Sequence, residues 1–201
     1  MKELIKNALA DSFSYQEYRE EINHVVTEGP TDKMPYSDSY AEYCNLSIGR
    51  MDRVEKSIEV YDSVKSEIKN YKKGTWMIIT EGWCGDASQS VPIIEALSKE
   101  NSNINLRVVL RDRHDELMEH FLTNGGKSIP IVVFLDDEDN VLGHWGPRPD
   151  TAQAMVEAYK KLEEKPPYSE LSKKLQKYYN QNKGEDVQLE FVEELIVKGI
   201  V

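Results

Sequence analysis

Cysteine is scarce here. Two cysteines in 201 residues, Cys44 and Cys84, are too few for a disulfide framework, and that scarcity fits a reducing compartment. Positive charge is also short: 25 Lys and Arg against 36 Asp and Glu leave a net charge of −11. Such a balance argues against nucleic acid or an anionic membrane surface as a partner. No apolar run approaches the ~20 residues that span a bilayer. The first residues, Met1-Lys2-Glu3-Leu4-Ile5-Lys6-Asn7, lack the apolar stretch of a signal peptide, so the expectation is a cytoplasmic protein. The four histidines, His24, His114, His120 and His144, have no metal-ligand spacing. Residues 136–140 superficially resemble a calcium loop, but Val141 stands where that loop needs glycine and no glutamate closes it. Neither a metal nor a cofactor is expected, and no internal repeat or low-complexity tract is present.

What the chain does carry is periodicity. Leu4, Ile5, Leu9, Tyr15, Tyr18, Ile22, Val25 and Val26 recur at three- and four-residue spacing, a helical pattern ended by Gly29-Pro30. Residues 30–45 predict a loop packed through Tyr36, Tyr40 and Tyr43; five of the 11 tyrosines precede residue 45, so residues 1–45 are expected to lie on the domain as an ordered extension. Ile48, Met51, Val54, Ile58, Tyr61, Val64 and Ile68 mark one face of a long helix over residues 46–71, closed by Lys72-Lys73-Gly74.

An apolar strand over residues 76–80 follows, then a helix from Ser88 to about Asn101 with Pro92 inside it, where a proline should kink the axis. Residues 104–110 read as a strand and 111–123 as a helix; residues 111–116 are most simply its charged start, although their place after a strand also allows Arg111 to lie near a groove. Residues 131–135 are almost purely apolar, the pattern of a strand covered on both faces. After a turn, residues 141–146 complete a hairpin, and residues 150–164 form a helix. The order predicts an α/β fold: a central mixed sheet flanked by helices over residues 46–164, with helical extensions at 1–45 and 165–201. The C-terminal stretch, with Val187, Phe191, Val192 and Leu195, is too apolar to stay exposed. It either docks on the chain's own sheet or N-terminal helix, or makes a homodimer contact.

The chemistry concentrates at Trp83-Cys84-Gly85-Asp86-Ala87, where the central strand feeds a helix. A thiol at the first turn of a helix faces unpaired N–H groups and the positive end of the dipole, both of which favour thiolate. Asp86 opposes this, because its carboxylate puts a negative charge beside the one the thiolate would carry. Cys84 is therefore expected to be less acidic than the first cysteine of a two-cysteine site.

Trp-Cys-Gly at a strand-to-helix junction resembles the active-site loop of the thioredoxin superfamily, with Asp86 where proline is usual and Ala87 in place of the second cysteine. Pro92, eight positions after Cys84, matches the kinking proline of that fold. Ser128-Ile129-Pro130 resembles its cis-proline loop, which implies a cis Ile129–Pro130 bond beside the cysteine. Trp145-Gly146-Pro147-Arg148-Pro149 resembles the third loop bordering the same groove. Together these stretches are similar to a bacterial thioredoxin-like subfamily with a single active-site cysteine. The resemblance implies a thioredoxin-like fold, Cys84 as the catalytic thiol, Trp83, Gly85, Asp86 and Ala87 as its loop, and Ile129, Pro130, Trp145, Gly146 and Arg148 along a substrate groove. Arg148 is expected either to offset Asp86 or to hold a substrate carboxylate.

Ala87 excludes a disulfide within the loop, and the strand over 76–80 lacks the buried acid that serves the second cysteine of thioredoxin. The leading expectation is monothiol thiol–disulfide exchange: Cys84 attacks a disulfide, and a partner protein or a low-molecular-weight thiol resolves the product. Cys44 is the other thiol available for that step. The rival expectation is a non-catalytic thioredoxin-fold binding module or redox sensor, distinguished by whether Cys84 is accessible and acidic.

Overall fold

The computed structural model describes residues 1–201. At its centre lies β1 (Gly74–Thr80), buried along its whole length. It pairs in parallel with β2 (Ile104–Leu110) and antiparallel with β3 (Ile131–Asp136), and β4 (Val141–Trp145) extends the sheet beyond β3. A strand bonded on both edges and covered on both faces has no solvated side, which is why both β1 and β3 are nearly continuous apolar runs. At Gly74 an added Cβ would stand 1.9 Å from the Leu135 carbonyl oxygen, so only glycine admits that approach of β3.

The helices are α1 (Lys2–Ala10), α2 (Tyr15–Thr27), α3 (Asp38–Ser57), α4 (Asp62–Ile68), α5 (Ala87–Ser98), α6 (Asp115–Met118), α7 (Asp150–Lys160), α8 (Tyr168–Asn182) and α9 (Glu185–Val197). α5 follows β1 and packs on the sheet, α3 runs along α5, and α2 along α3. No helix is long and apolar enough to cross a membrane.

Several boundaries differ from the sequence reading, each for a local reason. Residues 1–30 form two helices, because Ser14 starts α2 with a capping box: its hydroxyl accepts from the Glu17 amide at 3.2 Å and its own amide donates to the Glu17 carboxylate at 2.7 Å. Just before that cap, Phe13 exchanges two backbone hydrogen bonds of 2.8 Å with Val108, a single bridge on the outer edge of β2 where a further strand would lie. Tyr40, Tyr43 and Cys44 are helical, because α3 begins at Asp38, and residue 45 falls inside that helix. The helix expected over 46–71 is broken between Ser57 and Asp62, where the buried Gln188 side chain accepts from the Tyr61 amide at 3.1 Å and donates to the Glu59 carbonyl at 3.2 Å. Residues 111–123 hold only a 3-10 turn and the four-residue α6.

The C-terminal segment docks on its own sheet. Phe191 of α9 is fully buried, with its ring 4.8 Å from that of Trp76, 5.1 Å from Phe134 and 5.7 Å from Trp145. Such edge-on aromatic packing contributes beyond the area buried. A smaller cluster of Ala152, Val156, Leu171, Leu175 and Tyr179 joins α7 to α8. That cluster fixes α8 beside the loop that carries Cys84.

Candidate functional site

The loop between β1 and α5 is held from beneath by the N-terminal extension. Tyr18 of α2 donates to the Glu81 carbonyl at 3.2 Å, and the Gly82 amide donates to the Tyr36 hydroxyl at 3.2 Å. A side chain at Gly82 would press on Ile22 at 2.9 Å and on the Cys44 sulfur at 3.3 Å, so the loop sits directly on α2 and α3. Cys44 is wholly buried there, and burial, aided by the negative charge of Glu81, pushes its thiol up to about 12. Both cysteines are free.

Cys84 is 7% exposed. Its sulfur accepts from the Ala87 amide and its thiol donates to the Ile129 carbonyl, each at 3.4 Å. The Ile129–Pro130 bond is cis. Burial pushes the Cys84 thiol up to about 12, and the neighbouring Asp86 charge adds to that; the backbone amides of Ala87 and Asp86 and the guanidinium of Arg148 pull the other way without prevailing. The helix N-terminus is present, but desolvation and a resident carboxylate outweigh it.

The Asp86 side chain makes no capping hydrogen bond to α5. Its Oδ2 takes the Nε–H of Arg148 at 2.8 Å and its Oδ1 takes the Tyr179 hydroxyl of α8 at 2.9 Å. Burial raises the Asp86 carboxyl above its ordinary range, and Arg148, Tyr179 and Arg50 hold it back in part. Gln176, also on α8, donates to the Gly85 carbonyl at 3.2 Å and accepts from Gln89 at 2.6 Å. The C-terminal extension thus forms a wall of the site.

Between that wall and α3 opens a cleft of about 850 Å³, with Cys84 on its floor and Ile129 and Arg148 beside it. Tyr40 stacks on Trp83 with ring centroids 5.1 Å apart, and the Arg111 guanidinium lies over the Trp83 ring at 5.1 Å. Of the residues expected along the groove, Ile129 and Arg148 line the cleft, as do Trp83, Gly85 and Asp86. Pro130, Trp145 and Gly146 do not. Trp145 is covered by Phe191 because α9 lies over that side of the sheet, and Gly146 backs onto the Pro130 carbonyl. Ala87 is buried and takes part through its amide alone. Among the cleft residues that the sequence left unassigned are Arg50, Tyr43 and Leu46 on α3 and Tyr168, Lys173 and Gln176 on α8. Only the i, i+3, i+7 spacing of Tyr43, Leu46 and Arg50 on one helix face marks them in advance.

A thioredoxin family model matches residues 33–160, most of the chain. The chain belongs to the thioredoxin family. Among solved structures, a crystallised HIV epitope scaffold is similar at 17% identity with a TM-score of 0.55, covering 93% of this chain and 99% of its own. At that identity the likeness concerns the fold, and its coverage runs beyond the family-matched segment. A protein of unknown function from Pseudomonas aeruginosa, also 17% identical, covers 89% of this chain and 98% of its own with a TM-score of 0.46. In this chain the family-matched segment is flanked by α1 and α2 on one side and by α8 and α9 on the other.

Proposed function

We propose that this thioredoxin-family protein is a binding module whose cleft holds a ligand beside Cys84 without dithiol turnover. One observation carries the reading: the Cys84 thiol is buried and donates to Ile129, while the negative charge near the helix N-terminus is supplied by Asp86, paired with Arg148. A thiolate there would be a second negative charge in a desolvated place. The cleft supports the same reading, since its volume lies in the range of small-molecule sites, roughly 300–1,000 Å³.

Monothiol exchange is the second reading, favoured by Cys84 lying on the cleft floor with the Ala87 amide directed at its sulfur. In that case Cys84 attacks a disulfide, one thiolate leaves, and an external thiol attacks the mixed disulfide to release Cys84. The deciding experiment follows alkylation of Cys84 by mass spectrometry against pH, together with reduction of a mixed glutathione disulfide. The binding reading expects a rate still climbing above about pH 8.5 and no turnover. A plateau well below that pH with catalytic turnover establishes exchange instead.

A further inference from the structure

The cleft reverses the sign of the molecule. The chain carries a net charge of −11, yet the cleft walls hold Arg50, Arg111, Lys127, Arg148 and Lys173 against one carboxylate, Asp86. Most of these cations are already engaged. Arg148 is paired with Asp86, Arg111 with Asp112 at 2.7 Å, and Lys127 with Asp115 at 2.6 Å and Glu119 at 2.5 Å. Arg50 and Lys173 have no carboxylate within ion-pairing distance and no hydrogen-bond acceptor.

Arg50 is the telling member of that pair. It is partly buried, and one guanidinium nitrogen lies 3.3 Å from the place a Cβ on Gly85 would occupy, one residue from Cys84. Burial, followed by the like charge of Arg53, pulls its pKa down, and the charge of Asp86, which makes its ion pair with Arg148, offsets this only in part. A guanidinium partly withdrawn from water with no anion to receive its donors gives up some hydration without a hydrogen bond in return. That cost is relieved when an anion enters. Around it the cleft exposes aromatic and apolar faces that a folded protein ordinarily covers: Tyr40 is 44% exposed, Tyr43 55%, Leu46 50% and Tyr168 60%. The hydroxyls of Ser169 and Ser172 border the same space.

We infer that the cleft binds a small organic anion, its carboxylate or phosphate head on Arg50 and Lys173 and its flat apolar body against Tyr40, Tyr43 and Tyr168. This rests on the binding-module reading and supplies its ligand class. The carboxylate-holding role that the sequence suggested for Arg148 passes to Arg50, because Asp86 already occupies Arg148.

The test uses two dyes with the same aromatic body, anilinonaphthalene sulfonate and its uncharged relative phenylnaphthylamine, titrated by fluorescence into the full-length protein. The expected result is saturable one-to-one binding of the sulfonate, weakened roughly tenfold or more in Arg50→Ala and less in Arg50→Lys, and weakened by salt. Lys56→Ala removes one positive charge from an exposed position of α3 outside the cleft and should leave the affinity unchanged, which controls for net charge. Near-ultraviolet circular dichroism of each variant shows that the packed core is intact, so that dye binding to a loosened state is recognised. Competition by benzoate and by phenyl phosphate then separates the two head groups. Equal binding of both dyes, insensitive to Arg50, overturns the anion inference and leaves a binding cleft. No binding of either dye overturns the inference and the binding-module reading together.

Discussion

Arg148 Nε lies 2.8 Å from Asp86 Oδ2 in a pair whose side chains are 11% and 9% exposed, and Tyr179 caps the other carboxylate oxygen. Two loops and α8 meet at this contact. A buried pair of this kind adds little net stability by itself, but losing one partner strands the other charge.

Arg148→Ala is therefore expected to destabilise the protein by about 3 kcal/mol at pH 8. Asp86 already has a folded-state pKa raised by burial, and without Arg148 it rises further. The carboxyl of the variant then takes up a proton as pH falls, and the stranded charge disappears. The deficit should shrink between pH 8 and pH 5, as read from urea unfolding midpoints of variant and wild type. A deficit constant across that range would show that Arg148 acts through packing and not through the charge of Asp86.

The same carboxylate acts on Cys84. Asp86→Asn removes the charge that adds to burial in raising the thiol and leaves Arg148 free to face the sulfur. Alkylation of Cys84 at pH 8 should quicken on the order of tenfold, the equivalent of one pKa unit. Because burial is the larger cause, the rate should still fall short of that of a free thiol. An unchanged rate would mean that access to the sulfur, and not its ionisation, sets the reactivity.

How much of this was legible in the sequence depended on the range of the interaction. The apolar runs of β1 and β3, the strand–cysteine–helix junction and the approach of Arg148 to the Cys84 loop follow from periodicity and motif, which are local or carried by the family resemblance. The walls of the cleft are not local. Arg50 reaches Gly85 only because α3 starts at Asp38 and packs on α5, and Tyr179 reaches Asp86 across 93 residues because Ala152, Val156, Leu171 and Leu175 fix α8. Gln188, which bonds the chain between α3 and α4, lies 127 residues from Tyr61. The Trp145 motif points to the groove, but the apolar pattern of α9 predicts only that it is buried and not where, and its place on the sheet covers Trp145.

Beneath the loop, Glu81 is almost fully buried, with the Tyr36 hydroxyl and the Asp112 amide donating to its carboxylate. Burial raises it to about 7 from the ordinary 4.5, although both hydrogen bonds pull it down. A raised acid favours the folded state while it is protonated. That advantage is complete below about pH 4.5, is lost as pH rises through 7, and amounts to on the order of 3 kcal/mol. Glu81→Gln keeps the shape without the titration. Its stability relative to wild type should therefore increase by about that amount between pH 4.5 and pH 8, measured as the difference in thermal unfolding. A difference that does not move with pH would mean the carboxylate is ionised throughout.

Gly146 lies at φ +121°, and a Cβ there would stand 2.3 Å from the Pro130 carbonyl oxygen. Backbone meets backbone at that point, so neither side can swing aside as a flexible side chain would. Gly143, in β4, offers the comparison: a Cβ on it meets the Lys198 side chain at 3.1 Å, and a lysine stem can give way. Gly146→Ala combines a left-handed conformation with this collision and should cost at least about 3 kcal/mol. Gly143→Ala should cost less than about 1 kcal/mol. Because the Gly146 loop bears on Pro130, next to the carbonyl that receives the Cys84 thiol, the first variant should also raise alkylation of Cys84 at concentrations of urea too low to unfold the protein. Unchanged Cys84 labelling in a destabilised Gly146→Ala protein would uncouple the two loops, and the sulfur would then be protected by the α3 and α8 walls of the cleft alone.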